Sequence, residues 1–109
     1  MFDEELLRRT RPLLSGVENV EEKRIFGGLA FLVNGNMAVA VSGRGGLMVR
    51  VPPERQAELL AEHGAAPMEM RGHAAEGWLR VDAGAVEDYD ELAHWVRIGV
   101  DRATSLPPK

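Results

Sequence analysis

"KRIFGGLAFLVNGNMAVAV", Lys23 to Val41, is the stretch that decides how this 109-residue chain folds. Two adjacent glycines, Gly27 and Gly28, open an apolar run that Asn34-Gly35 then divides. Asn-Gly between two apolar runs is the strongest local signal for a β-hairpin, because both residues tolerate the positive φ of a type I′ turn. Taken literally, the two-residue loop pairs Val33 with Asn36, Leu32 with Met37, Phe31 with Ala38 and Ala30 with Val39. One face of the hairpin then carries Ala30, Leu32, Met37 and Val39, and the other Leu29, Phe31, Val33, Ala38 and Ala40. Neither face holds a charge. A hairpin with one side in water alternates apolar and polar residues, so this one is expected to need cover on both sides. In so short a chain a second copy is the expected source of that cover, which makes a homodimer the expected state.

Upstream, "DEELLRRTRPLL" has acids at its start and leucines at helical spacing, the pattern of a first helix whose regular part ends near Pro12. Ser15-Gly16 closes it, and "VENVEE" reads as a polar connector. Downstream, "SGRGG" is a glycine-rich turn. "LMVRV" is a strand with Leu47, Val49 and Val51 on one face and Met48 and Arg50 on the other. "PPERQAELLAEHG" is a helix, with proline in its first turn and Gly64 as its left-handed stop. "APMEM" is a short strand, and "GWLRV" sets Trp78 and Arg80 against Leu79 and Val81. Asp88 with Glu91 caps a last helix, in which Leu92, Trp95, Val96, Gly99, Val100 and Ala103 recur at three- and four-residue steps. Gly99 costs about 1 kcal/mol there relative to alanine, so close packing against the sheet is expected. The expected order is α-β-β-β-α-β-β-α: one α+β domain over residues 1–109, two layers, with a largely antiparallel five-stranded sheet.

Composition sets the limits on chemistry. With 45% hydrophobic and 28% charged residues the chain is an ordinary globular one, and its net charge of −4 argues against an electrostatic nucleic-acid binder. Arg8, Arg9 and Arg11 are the only basic cluster, read as the solvated face of a helix. Cysteine is absent, which removes disulfides, thiolate metal sites and thiol nucleophiles. The acidic N-terminus lacks the signature of a signal peptide, and no stretch is long enough to span a bilayer, so a cytoplasmic protein with no membrane partner is expected.

Gly27-Gly28 and "GRGG" at 43–46 each raise the question of a phosphate cradle. Both lie before strands, whereas a phosphate loop must feed a helix N-terminus, so a backbone bend is the better reading. His63, His73 and His94 fall on separate elements without ligand spacing, and no metal or cofactor is expected. Ser15, Ser42 and Ser105 lack the setting of a nucleophile. No catalytic set is expected, and the protein reads as a non-enzyme. What remains is Arg50, Arg71, Trp78 and Arg80, candidates for holding an anion or a carboxylate. The competing account makes Trp78 core or interface and pairs the arginines with the chain's acids.

The residues "RIFGGLAFLVNGNMAVAV", "LMVRV", "RGHAAEGWLRV" and "LPPK" resemble the TfoX/Sxy N-terminal domain family over nearly the whole chain. The family's form has Arg-Met-Phe-Gly-Gly, an Asn-Gly hairpin, Leu-x-x-Arg-Val and Gly-Arg-Pro-Met-x-Gly-Trp. On that likeness Arg24, Phe26, Gly27, Gly28, Asn34, Gly35 and Gly77 are family motif positions. Ile25 replaces the family's Met, and "GHAAEGW" lacks its arginine and proline, with His73 and Ala74 in their place. The resemblance implies a two-layer, secretion-chaperone-like fold and a stand-alone member without the second domain of the competence regulators. An RNA-methyltransferase activity, ascribed to some relatives, meets no cofactor loop and no basic surface in this sequence. The expected function is a regulatory or protein-interaction module. The alternative is a small-ligand or anion-binding domain built on Arg50, Trp78 and Arg80.

Overall fold

In the computed structural model, which describes residues 3–25, 27–70 and 72–109, six antiparallel strands form one sheet with helices on one side. Helix α1 (Glu4–Thr10) starts where the Asp3 carboxylate accepts hydrogen bonds from the N–H groups of Glu5 and Leu6. It tightens into a 3-10 turn at Arg11–Leu14, where Pro12 cannot continue the α-helical ladder. The strands are β1 (Val20–Ile25), β2 (Gly28–Val33), β3 (Asn36–Val41), β4 (Leu47–Arg50), β5 (Ala65–Met70) and β6 (His73–Val81), in spatial order β1-β2-β3-β4-β6-β5. A short helix α2 (Gln56–Leu60) follows β4, and α3 (Tyr89–Ser105) ends the fold.

Several sequence expectations need correction. The helix read over 52–64 is a 3-10 turn (Pro53–Arg55) followed by the five-residue α2, and the strand read from Gly77 already starts at His73. The sheet has six strands and not five, because the second half of the segment read as a polar connector, together with Lys23, Arg24 and Ile25, is strand β1. Its four central residues, Glu21, Glu22, Lys23 and Arg24, are all exposed, so no apolar alternation marks it. It is an edge strand, and charges on both of its faces suit an edge that must not pair with other chains. The hairpin register also slips. Val33 faces Asn36 and Leu32 faces Met37, but Phe31 then pairs with Val39 and Ala30 with Ala40 across a β-bulge. Val39 thereby joins Phe31 on the helix side, and Ala40 moves to the opposite face with Ala30.

The turn itself is as read: Asn34 and Gly35 have φ of 55° and 82°. Gly28 is required by space, since a Cβ there would lie 2.2 Å from the carbonyl oxygen of Val41. The core lies between the sheet and α3, which crosses β2, β3 and β4, while α2 covers β5 and β6. Leu6, Phe31, Val39, Val41, Leu47, Val49, Leu79, Leu92 and Trp95 fill it. Gly99 lets α3 touch the sheet, because a Cβ would come within 2.5 Å of the carbonyl oxygen of Ala38. The Asp88 carboxylate caps α3 by accepting from the N–H groups of Asp90 and Glu91.

Candidate functional site

Helices cover one side of the sheet, and among the described residues nothing covers the other. Strand alternation decides what that open face carries. Since Phe31, Val39, Val49 and Leu79 point to the helices, Leu32, Met37, Met48, Arg50, Trp78 and Arg80 stand on the far side. Each of these six is partly buried by its neighbours, and Ala30 and Ala40 between them are fully buried. Glu21 and Lys23 of β1 lie beside Leu32 and Ala30 at one edge of the face.

Three of the four candidate ligand residues share the open face, but only Arg50 and Trp78 are in contact, and Arg80 turns toward Ser42 and Gly45. Arg50 and Trp78 are directly opposite on β4 and β6, with the guanidinium carbon 5.4 Å from the indole centroid. Such a stack directs the cation's flat face to the ring and leaves its edge to donate. One edge N–H goes to the carbonyl oxygen of Met37 at 3.3 Å. Burial, and after it the charge of Arg102, lowers the Arg50 pKa; the group remains a cation because arginine starts so high. Arg80 sits two residues along β6, opposite Met48. It donates to Ser42 Oγ at 3.2 Å and to the carbonyl oxygen of Gly45 at 2.6 Å, fixing the glycine-rich turn between β3 and β4. Neither arginine has a carboxylate within ion-pair distance among the described residues. The expectation that the chain's acids would neutralise them fails.

Arg71 and Phe26 lie outside the described residues. His73 and Ala74, where the family pattern changes, are exposed at the start of β6, beside the β5–β6 turn and away from Arg50. Arg24 is placed in β1 opposite Leu29, on the helix side of that strand. Gly77 proves structural: its φ is 84°, its N–H donates to Gln56 Oε1 at 2.8 Å, and its carbonyl accepts from the N–H of Val51. Gln56 had no sequence signal, yet it clamps α2 to β6 through Gly77. Of the basic residues of the first helical segment, Arg9 and Arg11 are committed to contacts within the fold. Arg9 donates to the carbonyl of Val86 at 2.8 Å, and Arg11 bonds Glu22 of β1 through two nitrogens at 2.8 and 2.9 Å.

A groove of about 560 Å³ opens at the Arg80 end of the face, lined among others by Ile25, Gly28, Ala40, Ser42, Met48, Met68 and Glu69. Sequence reading missed Ser42, Met68 and Glu69, because strand curvature and the turn bring them together. A second groove of about 620 Å³ runs beside α3 and mixes Arg55, Arg97 and Arg102 with Glu54 and Asp101. Among the described residues no three metal-ligating side chains converge, and no helix is long and apolar enough to cross a membrane.

The family model for the TfoX N-terminal domain matches residues 12–103. No curated protein and no solved structure matches the chain.

Proposed function

The chain belongs to the TfoX N-terminal domain family, and on that premise we propose that it is a non-enzymatic regulatory module of the cytoplasm that works by self-association through its open sheet face. The observation that carries this is the uncovered side of the sheet, where Leu32, Met37, Met48 and Trp78 lie partly exposed on adjacent strands. Burying apolar area of this kind contributes about 25 cal/mol per Å², and methionines adapt readily to an opposing surface. The charges suit a two-fold pairing. Glu21 and Lys23 stand at the β1 edge, and Arg50 and Arg80 stand on β4 and β6. In a two-fold interface each contact occurs twice with the partners exchanged, so an acid at one edge can meet an arginine of the other copy.

A non-enzymatic role is supported by what surrounds the candidate acid–base groups. The His94 ring packs edge-on against Trp95 and its Nε2 pairs with Glu62 at the surface at 2.9 Å, and Ser42 Oγ is committed to Arg80 and to the N–H of Arg44. Neither arrangement couples a nucleophile to a base. Sedimentation equilibrium tests the reading: a dimer is expected at tens of micromolar, the range of a weak interface with a dissociation constant of about 1 μM. A strict monomer there overturns it.

A further inference from the structure

The groove beside Arg80 lies at one end of the open face, sharing Ala40, Met48 and Arg80 with it, and it has the chemistry of a ligand site. Its volume of about 560 Å³ lies within the range of small-molecule sites, about 300–1,000 Å³. The buried Gly28 and Ala40 line it without projecting into it, while Ile25, Met48 and Met68 supply longer apolar flanks. At its polar end stands Arg80, held by Ser42 Oγ and the Gly45 carbonyl. Those two bonds use two of the five N–H donors of a guanidinium. No carboxylate of the described residues reaches the rest. The cation is half-buried, oriented in advance and short of a counter-charge, the state in which a charge-assisted hydrogen bond is most favourable.

We propose that this groove binds a small monocarboxylic acid with an unbranched apolar tail, its carboxylate on Arg80 and its tail between Met48 and Met68. A flexible tail suits flanks made of methionines, which adjust to irregular shapes. Arg44 and Glu69 also line the groove, and with Arg80 they leave one net positive charge, which suits a ligand carrying a single negative charge. The groove shares Met48 and Arg80 with the open face proposed for self-association, whereas Leu32 and Met37 do not line it, so Leu32→Glu tests association without altering the groove lining.

Octanoate is the probe, titrated into the native protein while the methionine methyl resonances are followed by NMR. Saturable shifts at Met48 and Met68 are expected, with 1-octanol at least about tenfold weaker, since a hydrogen bond to a charged group contributes about 1.5–3 kcal/mol. Acetate, which lacks the tail, should not saturate the site. Arg80→Met should weaken octanoate at least tenfold, the equivalent of about 1.4 kcal/mol. Because Arg80 also holds a turn, Glu69→Gln is the variant least able to disturb folding, and it should tighten octanoate by about twofold at low salt. Equal binding of octanol and octanoate overturns the proposal, as does an unshifted Met48 and Met68 pair or a Glu69→Gln variant that binds no tighter. Stronger binding of an apolar peptide through its C-terminal carboxylate would equally overturn it, since the site would then serve a protein ligand.

Discussion

At Gly99 the usual rule for helix residues changes sign. Alanine normally stabilises a helix interior by about 1 kcal/mol relative to glycine. Here its Cβ would sit 2.5 Å from the Ala38 carbonyl oxygen and 2.6 Å from Val39 Cγ1. Backbone cannot yield as a side chain can, so Gly99→Ala should destabilise, by about 1–3 kcal/mol as other overpacked cores do. Denaturant unfolding checks it, and any gain in stability would contradict the packing described. Trp95 poses the converse case. Its ring is fully buried and its Nε1 has no hydrogen-bond partner among the described residues. An unpaired buried donor costs about 1–3 kcal/mol, so Trp95→Phe removes a penalty together with some packing. That variant should fall within about 1.5 kcal/mol of the native protein, whereas Trp95→Ala should lose about 3–5 kcal/mol. A Phe variant as damaged as the Ala variant would show that Nε1 is satisfied after all.

Among the elements, β1 depends on polar contacts more than on burial. Arg11 donates both its Nε–H and a terminal N–H to Glu22, which ties the end of the first helical segment to the edge strand. This hydrogen bonding holds the Glu22 carboxyl below the usual carboxylate range, against a smaller opposing effect of burial. A depressed folded-state pKa means stabilisation that is present above the unfolded value, about 4.3, and lost as pH falls through the folded value. The melting temperature of Glu22→Gln should therefore lie below that of the native protein at pH 7, and the gap should close as pH drops below about 4. The gap should be small, because both side chains are largely in water and salt screens them. A gap that persists at pH 2 would assign the effect to something other than the ion pair.

The same strand shows where sequence reading stops. The hairpin, the left-handed Asn34 and Gly35, the close approach at Gly99 and the cap at Asp88 were legible, because each depends on local backbone or helical period. Strand β1 was not, since its pairing comes from β2 and its own residues are charged on both faces. The bulge beside Phe31 was equally hidden, because a one-residue slip leaves composition unchanged while exchanging the faces of Val39 and Ala40. For the candidate site, Trp78 and Arg80 were legible as one strand face and Arg50 as projecting from another strand. Ser42, Met68 and Glu69 were not, as they meet only through sheet curvature and the β5–β6 register.

For the whole molecule, the architecture divides labour between two sides of one sheet. The helix side holds the large buried side chains, from Leu6 and Phe31 to Leu92 and Trp95. The other side combines small buried residues at its centre with methionines, a tryptophan and two arginines. The chain end is part of this arrangement: Lys109 N–H donates to the Asn34 carbonyl, and Asn36 Nδ2 donates to the Pro107 carbonyl, both at 2.9 Å. These bonds pin the tip of the hairpin and so help hold Leu32 and Met37, the cross-strand pair nearest the turn on the open face. A charge placed on that pair would disturb association while leaving the helix-side core in place. Sedimentation of Leu32→Glu beside the native protein at the same tens-of-micromolar concentration is the most direct measurement. The open-face account predicts a native dimer and a folded monomeric variant with a near-native circular dichroism spectrum. A variant that remains as dimeric as the native protein would contradict it.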